Sequence, residues 1–359
     1  MNPTSAMPVA APHTATANSA GRIMATVMAA LAPATLFAFW LFGWPAIYLW
    51  IVTIAAALLG ETLCLRLAGR EAAPALLDGS AVLTGWLLAL SLPPWAPWWI
   101  GAFGGLFATI IGKQVFGGLG QNLFNPAMVA RVALLISFPV QMTAWVAPLP
   151  ISAAAAPGLL AGLHITLGGL PPAFDDIASA TLLGHVKTEM SRGLGLLHIL
   201  SASRVPSASL LGARAGSLGE TATWLIAAGG AALMFLRIIG WQIPAAMLAG
   251  IAVPAALFHA IDPDRYLNAG THLLSGGAML GAFFIATDYV TSPSTPRGRL
   301  VYGTGCGVLT YVIRTWSGYP EGVAFAVLLM NSLTPIIDST IKPRVYGRDR
   351  KGAALEPGK

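Results

Sequence analysis

The sequence predicts an all-α, polytopic membrane protein with about ten transmembrane helices in two inverted five-helix repeats. Of its 359 residues 56% are hydrophobic and only 9% are charged, whereas a soluble domain carries about a quarter charged residues. Apolar runs of about 20 residues, the length that crosses the hydrocarbon core as a helix, recur along the chain. Glycine and proline are abundant, at 40 and 26 residues, and both are commoner in membrane helices than in soluble ones.

The first transmembrane half is predicted over residues 22–143. Its spans one to five cover residues 23–42, 46–65, 79–92, 98–115 and 126–143. Residues 1–21 carry no charged side chain and form a disordered cytoplasmic tail in this interpretation. Arg22, Arg66 and Arg70 flank the first two spans, and basic short loops stay in the cytoplasm.

Residues 144–220 interrupt the pattern of spans and are predicted to form one long loop. Because five spans precede it, we expect it on the outer, periplasmic face, and long loops cross largely regardless of their charge. Residues 151–165 are apolar enough for a hidden span. Their shortness and Pro157 favour an interfacial or re-entrant segment instead.

The second transmembrane half is predicted over residues 221–340, followed by a basic cytoplasmic tail at 341–359. Its spans six to ten cover residues 221–236, 243–260, 273–286, 300–316 and 323–337. Residues 79–83 resemble residues 276–280, and Lys113 near the end of span four has a counterpart in Arg314 near the end of span nine. Because each half has an odd number of spans, the second would be inverted relative to the first, and both termini would be cytoplasmic.

One stretch of the long loop could carry a covalent group. Asp176, Ser179 and Ala180 precede Thr181, so that its hydroxyl lies among small side chains close to acidic residues. Such a hydroxyl could form a phosphoester with a cofactor. Taken alone, the pattern is more often that of an ordinary small-residue loop.

Three segments in order resemble the RnfD family of Rnf electron-transport complexes, which is related to NqrB. They are GGLGQNLFNPA at residues 117–127, DIASAT at 176–181 and DYVTSP at 288–293. The resemblance extends from residue 22 to residue 347. It implies that a flavin transferase joins FMN through its phosphate to Thr181, with Asp176 and Ser179 as recognition residues beside Ala180. The family more often has glycine before the Ala-Thr pair, where this chain has Ser179.

The resemblance further implies a membrane subunit of a redox-driven ferredoxin/NAD oxidoreductase complex that moves H⁺ or Na⁺. The chain would be an electron-transfer subunit in the bacterial inner membrane, with no catalytic residues or complete active site of its own. Its partners would be the other membrane and peripheral subunits, the flavin transferase and the lipid bilayer, but no nucleic acid. A redox-free permease or channel of the inverted-repeat type is the alternative, and a purely structural anchor for redox subunits is a third.

Polar residues inside the predicted spans provide further candidates. Glu61 and Asp288 could bind the transported ion or relay protons, because charges at membrane depth are costly and usually face a polar interior. Gln121, Asn122 and Asn125 could line a cavity for a second, non-covalent flavin such as riboflavin, or form only a helix-breaking turn. The sequence shows neither a metal-ligand pattern nor a phosphate-binding glycine loop, so nucleotides would be bound by another chain.

Overall fold

The computed structural model describes residues 19–168, 181–193, 195–196, 198–199, 214–319 and 321–343. Every regular element in these ranges is helical, which confirms the all-α class. In chain order the elements are α1 (Ala20–Phe42), α2 (Trp44–Leu67), α3 (Ala72–Leu76), α4 (Ser80–Ser91), α5 (Trp98–Ile110), a 3₁₀ helix (Gln114–Phe116), α6 (Pro126–Ser137), α7 (Pro139–Thr143), α8 (Leu159–Gly168), α9 (Leu182–Ser191), α10 (Thr223–Phe235), α11 (Gln242–Ile261), α12 (Ala269–Leu274), α13 (Ala278–Leu280), a π-helix (Gly281–Ile285), α14 (Pro296–Trp316) and α15 (Val323–Thr340).

The lengths of these helices confirm a polytopic membrane protein. Five segments are long and apolar enough to cross a bilayer, namely Ala20–Phe42, Trp44–Leu67, Trp98–Phe116, Gln242–Ile261 and Val323–Thr340. The helices α4, α6, α8 and α10 are apolar but shorter, at 10–17 residues. Each predicted span coincides with a helical segment. The number of crossings, about ten, stays a prediction.

Predicted span eight is broken where one continuous helix was expected. α12 ends at Leu274, and the chain turns through Gly276 before α13 and the π-helix begin. Gly276 has φ +65°, a left-handed conformation that glycine adopts without a steric penalty. A π-helix within a span often marks a functional position. The broken element therefore places irregular backbone inside the bundle.

The two halves run in opposite directions where their first helices meet. Ile23, near the start of α1, and Ile238, just after α10, line the same cavity. Further along, a Cβ on Gly229 of α10 would collide with the carbonyl oxygen of Ala30 in α1. As the residue numbers rise along α1 they fall along α10, so these helices are antiparallel. Equivalent helices of an inverted repeat are expected to pack in this way.

One continuous hydrophobic core joins the halves. Leu31, Leu88 and Met128 of the first half belong to the same buried cluster as Met247 and Phe284 of the second. The apolar residues of the shorter helices are thus covered by protein. The π-helix contributes Phe283, Phe284 and Ile285 to this core, which fixes its position.

The apolar segment at residues 151–165 is a surface feature of the bundle. Only α8 is helical there, and its ten residues span about 15 Å, half of the hydrocarbon core. Tyr48 donates a hydrogen bond to the Leu159 carbonyl (3.2 Å), and Gly162 packs on Trp44 and Pro45 at the start of α2. α8 therefore packs on the first turns of α2, and the interfacial or re-entrant position of this segment stays a prediction.

We predict that the close approach of α2 and α5 depends on Gly105. A Cβ at this position would lie 2.9 Å from the Ala57 nitrogen and 3.0 Å from the Ala56 Cβ. Gly105→Ala should therefore lower the free energy of unfolding by about 1–3 kcal/mol. Thermal melts in detergent measure this. Gly158→Ala is the control, because nothing lies within 4 Å of its Cβ position. Equal melting temperatures for the two variants would contradict the prediction.

Candidate functional site

Thr181 is the N-cap residue of α9, and its side chain is buried. Its Oγ1 accepts a hydrogen bond from the Gly184 backbone N–H (3.1 Å). The first N–H groups of a helix have no partner within the helix, and the helix dipole favours negative charge there. A phosphate attached to this oxygen would lie where helices ordinarily bind anions. Residues 176, 179 and 180 lie outside the described ranges, so their predicted recognition roles stay predictions.

The structure fixes α9 against one end of the second half. Lys187 Nζ donates to the carbonyl oxygens of Arg314 (3.0 Å) and Tyr319 (3.2 Å), which lie at and beyond the end of α14. On the same side of α9, Leu183 and Val186 form a small buried cluster with Leu267, from the segment after α11. Thr181 is therefore held at the end of the bundle where α11 and α14 end.

The three predicted amide residues behave differently from one another. Asn125 caps α6: its Oδ1 accepts from the Met128 N–H (3.2 Å), and its Nδ2 donates to the Ile285 carbonyl (3.4 Å) of the π-helix. Asn122 Nδ2 donates to the Phe124 carbonyl within its own turn (3.1 Å). Gln121 is exposed. Asn125 and Asn122 thus satisfy the backbone where the helices break, as the turn interpretation predicts.

Asn122 and Asn125 also line a mostly apolar cavity between the two halves, together with Lys113 and Asp288. Its volume is about 90 Å³. Sites for drug-sized ligands usually measure about 300–1,000 Å³. A whole second flavin therefore does not fit this cavity in the present conformation.

Glu61 forms a buried ion pair with Lys113. The two side chains are each 2% exposed, and Lys113 Nζ lies 2.6 Å from Glu61 Oε1. Lys113 also donates to Ser80 Oγ (2.6 Å), and Gln114 Nε2 donates to Glu61 Oε1 (2.8 Å). Ser80 Oγ in turn donates to Asp78 Oδ1 (2.5 Å). The pairing gives Glu61 a structural role that its isolated position in the sequence did not suggest.

Asp288 differs from Glu61 because it has no cationic partner among the described residues. Its carboxylate accepts from the Val290 N–H (3.3 Å) and the Thr291 hydroxyl (3.2 Å). It faces the same cavity as Lys113. Of the two predicted ion-pathway residues, Asp288 is therefore the one whose charge has no neutralising partner in the described ranges, although Glu61 keeps one buried oxygen, Oε2, without a hydrogen bond there.

A second buried charge cluster escaped the sequence analysis. Arg314 forms an ion pair with Glu321 (2.8 Å) and donates to the Ser275 carbonyl (3.0 Å). Buried Glu220 accepts from Ser217 Oγ (2.8 Å) nearby. The sequence held one signal for this cluster, the similar positions of Lys113 and Arg314. Lys113 donates to Ser80 at the start of α4, and Arg314 donates to the Ser275 carbonyl shortly before α13. That similarity did not predict Glu321 as the acidic partner of Arg314.

Comparison with known proteins places this chain in a family. The chain matches the family model "NQR2, RnfD, RnfE family" over residues 8–347. It is 53% identical over 347 residues to the D subunit of the ion-translocating oxidoreductase complex of Halorhodospira halophila, covering 97% of each chain. Proteins of the same name from Stutzerimonas stutzeri and Rhodobacter capsulatus are 54% and 50% identical, over 95% and 86% of this chain and 96% and 85% of their own lengths.

We predict that the Lys113 and Glu61 pair is strongly coupled. Lys113→Met leaves the Glu61 carboxylate buried without its counter-ion, which typically costs about 3–5 kcal/mol. Adding Glu61→Gln should recover part of that loss, and a double-mutant cycle in detergent melts measures the recovery.

The exposed ion pair between Glu189 and Arg192 provides the matched control. Arg192 is 68% exposed, so Arg192→Gln should cost about 1 kcal/mol or less. Strictly additive effects at Lys113 and Glu61 would contradict the proposed coupling.

Proposed function

Because the chain belongs to the NQR2, RnfD, RnfE family, we propose that it is the membrane subunit of a redox-driven, ion-translocating ferredoxin/NAD oxidoreductase complex. Its length and its identity to the relatives named above support this. We propose further that it carries electrons on FMN esterified through its phosphate to Thr181. The observation that carries this step is the position of Thr181 Oγ1 at the N-terminus of α9.

Attachment needs a reaction that the chain does not perform itself. In the proposed reaction a flavin transferase provides an activated FMN donor, and Oγ1 of Thr181 attacks its phosphorus. The bond from phosphorus to the donor's other group breaks, that group leaves with the proton of the hydroxyl, and a phosphoester remains. The backbone N–H groups of the first turn of α9 would then hold the phosphate oxygens. The bound flavin supplies the one-electron chemistry.

The ion would use the other end of the bundle. Asp288 offers carboxylate oxygens without a cationic partner in the described ranges, and such oxygens bind H⁺ or Na⁺. A riboflavin beside Asn122 and Asn125 is a further expectation from the family, and it would require the cavity there to widen. The proposed electron path does not include this riboflavin.

We propose an inner-membrane location with both termini cytoplasmic and the Thr181 loop periplasmic. The basic residues that flank spans one and two support this orientation. The other membrane and peripheral subunits of the complex would provide the electron donor and acceptor. A redox-free permease remains the rival function, and it predicts a chain without flavin.

We predict that Thr181→Ala abolishes the covalent flavin fluorescence of this subunit in a denaturing gel, because the ester oxygen is lost. Intact-mass spectrometry should show an FMN-sized adduct in the wild type only. Thr188→Ala is the matched control, since Thr188 is an exposed threonine of the same helix whose hydroxyl donates to the Gly184 carbonyl. The adduct should persist there. A wild-type chain without adduct would support the permease instead or, if redox subunits co-purify with it, the structural anchor.

We predict that Asp288→Asn abolishes redox-driven ion uptake into proteoliposomes of the complex. The amide oxygen can still accept from Val290 or Thr291, but the negative charge is gone. The flavin adduct should remain at the wild-type level, which shows that the subunit folds. Asp338→Asn is the control, because Asp338 accepts hydrogen bonds from Ser294 and does not line the cavity. Unchanged uptake in Asp288→Asn would exclude this carboxylate from the pathway.

A further inference from the structure

A second cavity, of about 330 Å³, lies between α9 and the end of the second half. Leu183, Val186 and Met190 of α9 form one wall, while the segment after α11 and the end of α14 form the other. Small-molecule sites usually measure about 300–1,000 Å³. The cavity is therefore large enough to hold a cofactor ring system.

The charges around this cavity are all positive. Lys187, Arg265 and Arg314 line it, and no carboxylate does among the residues that the structure describes. Lys187 Nζ donates only to carbonyl oxygens, and the Arg265 guanidinium lies 5.7 Å from the centre of the Tyr266 ring. Burial lowers the pKa of Lys187. Among the residues that the structure describes, only Arg314 of these three has an acidic partner, Glu321. The cavity thus favours a ligand that gains negative charge.

Aromatic side chains form the other part of the lining. Tyr266 and Trp316 both face the cavity, and the Phe258 ring supports them at 5.1 and 5.2 Å between ring centres. His272 is only 5% exposed, and its Nδ1 has no hydrogen-bond partner in the described part of the chain. Burial, and then the Arg314 charge, lower the pKa of His272 to about 3, so this ring is neutral. The lining therefore combines flat aromatic surfaces with a ring nitrogen, His272 Nδ1, that has no hydrogen-bond partner among the described residues.

The position of Thr181 indicates what occupies the cavity. Thr181 caps the helix whose side chains form the cavity wall. At about 1.5 Å per residue, the wall runs from Leu183, roughly 3 Å along the axis from Thr181, to Met190, roughly 14 Å along it. A group tethered to Thr181 by a flexible arm can therefore lie along this wall.

We propose that this cavity holds the isoalloxazine ring of the flavin carried by Thr181, with Tyr266 and Trp316 against the ring and with Lys187 and Arg265 facing its polar edge. The inference rests on the proposed function and adds the ring site to it. Reduction adds negative charge to the ring, so the cationic lining stabilises the reduced form. These residues set the midpoint potential of the flavin without touching the ester bond.

The charge effect is tested on the purified complex by spectroelectrochemical titration of the covalent flavin. Lys187→Gln and Arg265→Gln should each weaken the preference for the reduced form about tenfold, which lowers a one-electron potential by about 59 mV. Lys187→Arg keeps the charge and should restore most of the shift. Arg192→Gln, which removes a charge from the exposed side of α9, should leave the potential unchanged.

The ring contact is tested by the fluorescence of the native complex, since a stacked aromatic side chain quenches a flavin. Trp316→Leu should raise the flavin emission at least twofold. Trp241→Leu is the control, because Trp241 is similarly exposed, at 61% against 52%, and does not line the cavity. An adduct at the wild-type level with unchanged potential and emission in every variant would overturn the ring site. A wild-type chain without adduct would instead overturn the proposed function.

Discussion

The structure depends on one constraint, that a polar group in the hydrocarbon core must find its partner within the protein. The ion pair of Lys113 with Glu61 satisfies two charges at once, and Ser80 takes a second hydrogen bond from the lysine. Where a helix breaks, an amide or a guanidinium side chain donates a hydrogen bond to a backbone carbonyl there. Asn125 bonds to the π-helix, and Arg314 bonds to the turn that precedes α13. These side chains provide hydrogen bonds to the irregular backbone within the bundle.

This constraint also explains why Asn122, Asn125 and Asp288 lie where the two halves meet. Helices that break leave free carbonyl and N–H groups, and those groups are sheltered only between the repeats. Asp288 follows the π-helix closely, and Tyr289 beside it donates to the Ile238 carbonyl just after α10. The cavity that Asp288 lines also has walls from the first half, so the carboxylate lies at a junction of both halves. A shift of one half against the other would therefore change the surroundings of the Asp288 carboxylate.

Much of the architecture was accessible from the sequence, because apolar length and basic loops report helices directly. The start of α6 was readable from Pro126, which occupies the first helical position, whereas span nine was predicted from residue 300 and α14 begins four residues earlier, at Pro296. The break in span eight could not be predicted from Gly276 and Gly277, because glycine is also common in continuous membrane helices. The pairing of Glu61 with Lys113 could not be predicted either, because the residues are 52 positions apart and meet only through the packing of α2 on α5. Similarly, the second charge cluster requires Glu321 to fold back onto Arg314.

The two functional ends of the molecule are joined by a single rigid element. α14 has 21 residues and therefore extends over about 31 Å. At its start Arg299 donates to the Pro293 carbonyl, five residues after Asp288. At its end the Arg314 carbonyl accepts from Lys187 of α9, while the Arg314 side chain lines the cavity below that helix. A change of charge in this cavity acts on Arg314 and its partner Glu321 and can displace the end of α14. Because a helix moves largely as one body, its start would then move beside Asp288, and in the proposed function this movement would couple a redox event at one end to ion binding at the other.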